Sequence, residues 1–330
     1  MSRYFSIPVF ALTAIVAGCG RSDRPQTTST SAGANTPVVS GSSSLKESAG
    51  ETPVAAPPVT YERAESVYGA GNYGEASQLF TSYTESRPEN PWGHYMLGLS
   101  AWKSGERDRA ISAFDRSLQL DPTHRKSLYN SGRVLLELGR PQEALERVQK
   151  AVAQDSLSNE GLRLLGRTQY QLGKIDDAIE AYHQALAADE RDIWSMNNLG
   201  LIYIEQDRPS EALPALARAV QLRGNAPVFQ NNLGVALERS GYPIAAAKAY
   251  EAAIAVDSTY QKATVGLARV TAGGQQLESE PVDLSALAQQ FLSEIEGWRE
   301  PVPANDSTVP VSDSTVPVND STTAGQEKSQ

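Results

Sequence analysis

The tetrapeptide Asn-Asn-Leu-Gly occurs twice, at 197–200 and at 231–234, and the copies stand 34 residues apart. Stepping back from Gly234 by that interval meets Gly200, Gly166, Gly132, Gly98 and Ala64. Twelve residues beyond these positions lie Ala246, Ala212, Ala178, Ala144, Ala110 and Ala76, so six copies of one unit fill 57–260 without a gap. A repeat of this period is a helical hairpin that buries its apolar face only by stacking on its neighbours.

The chemistry of the unit agrees with its length. Glycine inside a helix costs roughly 1 kcal/mol against alanine, so its recurrence at one phase argues that two backbones approach closely there. The alanine is expected to form the other half of that contact. Seven residues after the first small position come Gly71, Gly105, Gly139, Gly173, Asp207 and Gly241, the place of a left-handed helix cap. A large apolar residue follows each alanine by four, as Phe80, Phe114, Val148, Tyr182, Leu216 and Tyr250, which puts both on one helix face.

This pattern closely resembles the tetratricopeptide repeat. The resemblance covers 57–90, 91–124, 125–158, 159–192, 193–226 and 227–260, and implies an all-α, right-handed solenoid of six hairpins. The usual closing proline is present as Pro88 and Pro122, but later units carry Ser156, Glu190, Gly224 and Ser258 instead. The phase runs on into Gln261–Val270, read as a helix that caps the last hairpin. A further helix is expected at 283–297, with Asp283 as its N-cap and Leu284, Leu287, Phe291, Leu292 and Ile295 on one face. Two roles are open for it, a second cap within 261–298 folded onto the array, or a helix for a partner or for self-association.

The flanks differ in kind. Arg3 precedes an apolar run from Ile7 to Ala17 that is too short to span a bilayer and reads as a secretory signal. Val16-Ala17-Gly18-Cys19 resembles the lipobox of bacterial lipoproteins, which implies cleavage before Cys19 and lipidation of it. Gly20, where an aspartate would retain such a protein at the inner membrane, implies the outer membrane, facing the periplasm. With a single cysteine in the chain, no intramolecular disulfide is available and packing alone must hold the domain. Residues 19–56 are rich in Ser, Thr, Gly, Ala and Pro and read as a tether with an end-to-end distance of roughly 35 Å. The tail 299–330 repeats Asp-Ser-Thr-Val-Pro-Val at 306–311 and 313–318 and reads as low-complexity disorder. Lipobox and repeats together resemble lipoproteins that assist outer-membrane assembly, such as pilotins.

Nothing in the chain converges as catalysis requires. His94, His124 and His183 fall in different units at different phases, no nucleophile elbow is present, and no cofactor or metal is expected. The net charge of −10 argues against nucleic acid, and leaves the lipid as the only link to a membrane. What remains is a surface. On the leading helix of each unit, positions 4, 7, 8 and 11 carry the packing residues, and positions 2, 5, 9, 12 and 13 cluster opposite. The resemblance makes that second set the lining of a concave groove. It reads Tyr61, Tyr68, Trp92, Tyr95 and Trp102, then Lys126, Tyr129, Arg133, Arg163, Arg167 and Tyr170, then Trp194, Asn197 and Asn231, with Asn198 and Asn232 beside them. Trp92 and Trp194, at helix starts, are the ones most readily explained as packing between units.

Such a strip is aromatic, then basic, then amide-rich. Tyr, Trp and Arg dominate binding hot spots, and asparagine pairs with both groups of an extended peptide backbone. The expected partner is a protein segment or extended peptide, with acidic groups favoured by the arginines. Tyr61 and Glu65 stand where the carboxylate-clamp variety of the family needs Lys and Asn, so binding of an acidic C-terminal tail is not expected.

Overall fold

A computed structural model of the chain describes residues 59–272 and 281–299, and every regular element among them is a helix. The leading helices are α1 (Tyr61–Gly69), α3 (Pro91–Lys103), α5 (Arg125–Glu137), α7 (Asn159–Gln171), α9 (Ile193–Glu205) and α11 (Pro227–Arg239). Each is followed by a second helix: α2 (Tyr73–Ser86), α4 (Arg107–Leu120), α6 (Pro141–Gln154), α8 (Ile175–Ala188), α10 (Pro209–Leu222) and α12 (Pro243–Val256). The helices α13 (Gln261–Ala272) and α14 (Leu284–Arg299) come last.

Local sequence sets these boundaries. The side chains of Asn90, His124, Ser158 and Asp192 accept backbone N–H groups in the first turns of α3, α5, α7 and α9. Second helices lack such caps; α6, α10 and α12 open instead on Pro141, Pro209 and Pro243, where the missing N–H has no helical partner to lose. Between the two helices the chain turns through one left-handed residue, Asp207, at φ 60°, in the fifth unit and a glycine in the other five. Gly139, at φ 70°, illustrates the constraint. A β-branched side chain there is strained by about 1–2 kcal/mol, so Gly139→Val is expected to lower the urea midpoint, with unchanged helix content in water.

From α3 to α11 the glycine of each leading helix faces the large residue sixteen positions on. A Cβ at Gly98 would lie 2.7 Å from the Phe114 ring, one at Gly166 2.9 Å from Tyr182, and one at Gly234 2.7 Å from Tyr250. This corrects the expectation that the alanine twelve positions on is the other half of the contact. The alanines are fully buried, but the ring, or in other units Leu216 or Val148, occupies the space the missing Cβ leaves.

Consecutive leading helices pack closely, from α1 against α3 through α11 against α13, whereas the backbones of second helices stand farther apart and meet through long side chains, as Arg109 on Thr81 and Arg147 on Asp115 at 2.8 Å. A stack closed on one side and splayed on the other must curve, so the leading helices form its inner surface. The helix α13 packs on α11 and α12 and covers the last hairpin.

Of the two roles open for α14, the structure shows the helix folded onto the array: it turns back along the outer side, packing on α10 and α8. Its Ala288, Phe291 and Ile295 are buried, the latter two with Leu186, Met196, Leu199, Ala215 and Ala219. At its C-terminal end the Trp298 ring stacks on His183 at 3.8 Å, and Arg299 donates to the Ala187 carbonyl at 2.9 Å and pairs with Glu190 at 3.1 Å. The self-association reading requires a free apolar stripe on this helix, and its centre is already covered.

Candidate functional site

The inner surface carries the strip singled out in the sequence, but most of its members are turned to one another. Along the leading helices, polar rungs join residue i to residue i+35. Asn130 donates to the Tyr95 hydroxyl at 3.3 Å, Trp102 Nε1 to Glu137 at 3.1 Å, and the Tyr170 hydroxyl to Glu205. Asn232 donates to Asn197 Oδ1 at 2.8 Å, and Asn231 to Asn232 Oδ1 at 3.1 Å. Burial, assisted by Glu205, drives the Tyr170 phenol well above its ordinary range, so it remains a donor.

Two expectations are corrected by this network. Asn197, Asn231 and Asn232 are only 3%, 5% and 7% exposed, so the amide-rich end is an internal ladder rather than a row of groups free for a peptide. Tyr95 and Tyr129 are likewise buried, the latter bonded to Ser158 at 3.1 Å, and Tyr61 packs edge-on against Phe80 and Tyr83, each at 5.6 Å. The reason is the stacking itself. Positions 5 and 6 lie beside the neighbouring leading helix, and the large rings at position 5 also reach the hairpin mate, as Tyr61 and Tyr95 do, which a wheel of one helix cannot show.

The basic centre is reduced for the same reason. Arg133 bonds Glu160 and Asn130, and Arg163 pairs at 2.9 Å with the nearly inaccessible Asp192. Arg167, whose charge is felt by the Tyr182 phenol, and the exposed Lys126 have no hydrogen bond or ion pair among the described residues. Asn198 donates to Tyr182, and Tyr68 leans on Tyr73 at 5.2 Å, both remaining partly accessible.

The two tryptophans assigned most readily to packing are the exposed ones. Trp92 and Trp194 are each 46% exposed. Trp92 rests edge-on against His124 at 4.5 Å, with the accessible Lys126 ammonium 5.2 Å from its ring, and Trp194 rests on Phe229 at 5.2 Å. The sequence reading missed the partly accessible aliphatics at position 9, Leu99, Leu201 and Val235, and Val265 of α13, which is 62% exposed. The wheel placed position 9 in the lining, but attention went to polar and aromatic residues. An open depression of about 420 Å³ lies at this C-terminal end, bounded by Asn231, Val235, Lys262 and Val265 among others.

No group of three His, Cys, Asp or Glu side chains among the described residues is placed to hold a metal ion, and no described helix is long and apolar enough to cross a membrane. Cys19, the signal, the tether and the tail lie outside the described residues.

Stacked hairpins of fixed length with their leading helices on one side define an α-solenoid of the kind that presents a continuous surface to other proteins. A tetratricopeptide repeat family model matches 61–125, 95–159, 129–193, 163–227 and 197–261, more than half of the chain, and the protein belongs to that family. No curated protein sequence is significantly similar to it. Among solved structures it resembles a tetratricopeptide repeat protein from Parabacteroides merdae, with a TM-score of 0.52 and 14% identity over 64% of this chain and 82% of that one. It also resembles a chain of the APC/C hetero-tetramer Cut9-Hcn1, at 0.55 and 20% over 63% and 41%. The protein MamA from Desulfovibrio magneticus gives 0.47 and 23% over 49% and 92%. The first two of these likenesses show the fold.

Proposed function

We propose that the chain is a non-catalytic scaffold, exported and lipid-anchored through Cys19, that holds a protein segment along its inner surface in the bacterial envelope. The observation that carries the binding reading is the asymmetry of the two sides. Among the described residues α14 crosses the outer side at α8 and α10, whereas no helix crosses the inner side, where Trp92, Trp194 and Arg167 remain available. Large rings with a polar edge, beside an unpaired guanidinium, suit a segment with apolar side chains and a carboxylate. The anchor rests on the lipobox sequence alone, and the place in outer-membrane assembly on the combined layout of lipobox and repeats.

The geometry selects the test positions. Trp102 and Arg163 hold hairpins together, so replacing them would confuse binding with stability. A photo-crosslinking residue at Trp92 or Trp194 in the producing cell is expected to capture the same partner, with the yield reduced at least about threefold by Arg167→Ala, a loss typical of one interface charge. Yields no higher than from the outer-side control Gln149 would remove the groove reading. Cys19→Ser is expected to move the chain from the membrane to the soluble fraction, and continued retention would remove the anchor.

A further inference from the structure

The residues immediately before α3, α5, α7, α9 and α11 are Asn90, His124, Ser158, Asp192 and Ala226, one of which changes charge near neutral pH. Nδ1 of His124 accepts the Ser127 N–H at 3.2 Å and lies 2.8 Å from the Ser127 hydroxyl, itself 2.9 Å from that of Ser117. A ring nitrogen that accepts carries no proton, so the neutral ring bears its hydrogen on Nε2, which is buried with no hydrogen-bond partner. The ring is 5% exposed and forms the seat of Trp92, 4.5 Å away, and of Tyr95, 5.2 Å away.

We propose that His124 is an acid-sensitive helix cap that governs how Trp92 is presented at the aromatic end of the inner surface. The functional consequence rests on the scaffold reading; the switch itself does not. Protonation at Nδ1 converts the acceptor into a donor aimed at the Ser127 N–H, so the cap is lost and a cation is left at the positive end of the α5 dipole.

The charges around the ring decide the direction. On its own helix, Lys126 opposes the cation, and Arg125 is paired with Asp155 at 2.6 Å. From the end of α4, Asp121 favours it, but that carboxylate is already held by Thr123 through N–H and hydroxyl at 2.9 and 2.7 Å. From α3 the ring meets the uncharged Trp92 and Tyr95, and a backbone hydrogen bond adds a further contribution that favours the cation. Burial outweighs these and holds the imidazole below its ordinary value. The unfolded chain therefore binds the proton first. The stabilisation is complete above about pH 6.5 and declines as pH falls from there through the lower folded value.

The test uses the full chain in detergent at pH 7.5 and 5.5, with two readouts that need no partner. Amide exchange in the first turn of α5, corrected for the intrinsic rate, is expected to lose about fivefold protection at acid pH, the size of one lost N-cap. The indole N–H resonance of Trp92, assigned by its absence in Trp92→Phe, is expected to shift over the same range. His124→Asn copies the cap of the preceding hairpin and is expected to abolish both changes, whereas His183→Gln, at the unrelated α14 contact, retains them. Equal acid responses in wild type and His124→Asn, or a stationary Trp92 signal, would overturn the switch. Failure of crosslinking at Trp92 and Trp194 would instead overturn the groove and leave these readouts unchanged.

Discussion

Phe291→Asp is expected to destabilise the C-terminal half of the stack by at least ~4 kcal/mol, the sum of a large core truncation and an unpaired buried carboxylate. Phe291 is 1% exposed and sits with Ile295 against Leu186 of α8, Met196 of α9, and Ala215 and Ala219 of α10, so one helix joins two successive hairpins. In a stack of repeats each hairpin ordinarily contacts only its neighbours, and stability is a sum of nearest-neighbour contributions. The helix α14 departs from that rule, since Arg299 bonds a carbonyl 112 residues away in sequence. Its loss should split urea unfolding into two transitions, with α8 and α10 becoming exchange-labile while α3 to α6 keep their protection. Phe291→Leu, nearly isosteric within a forgiving cluster, should cost less than about 1.5 kcal/mol. A loss below ~1 kcal/mol for the aspartate variant would mean that α14 is not docked on this side in solution.

The same helix marks the limit of what the sequence showed. The apolar spacing of Leu284, Leu287, Phe291 and Ile295 revealed a helix with one buried side, and Asp283 accepts the Ser285 and Ala286 N–H groups as an N-cap should. Where that side would be buried was not legible, because α14 has no repeat partner whose phase could place it. Within the repeats the opposite held. Period and left-handed turn residues located every hairpin, Asp207 included, since a turn that must be left-handed is set by local chemistry alone. The lining of the inner surface fell between these cases. Its side was correct from the wheel, but Asn197 and Asn232 bond across 35 residues and Asn231 bonds its neighbour Asn232, and composition cannot tell such an amide from one that waits for a peptide. Trp92 and Trp194 were misjudged for a related reason. Position 2 lies in the first turn, where the neighbouring helix covers only one edge of a large ring.

The contact between Gly200 and Leu216 should show a coupling that separates shape from hydrophobicity. A Cβ at Gly200 would fall 2.5 Å from Leu216 Cγ, closer than real contacts permit, and Leu216 is fully buried with no room to withdraw. Gly200→Val is therefore expected to cost about 1–3 kcal/mol by overpacking, despite gaining helix propensity. Leu216→Ala should cost about 2–5 kcal/mol by leaving a cavity. In the double variant the new side chain grows into the space the leucine leaves, so the combined loss should fall short of the sum by at least ~1 kcal/mol, as read from urea midpoints. Additive losses would place the two residues apart. The pairing also explains why the repeat tolerates Leu216 or Val148 where other units carry a ring. What position 24 must supply is volume against a bare backbone, and the chain meets that need with Phe, Tyr, Leu or Val while holding the opposite position at glycine in five of six units.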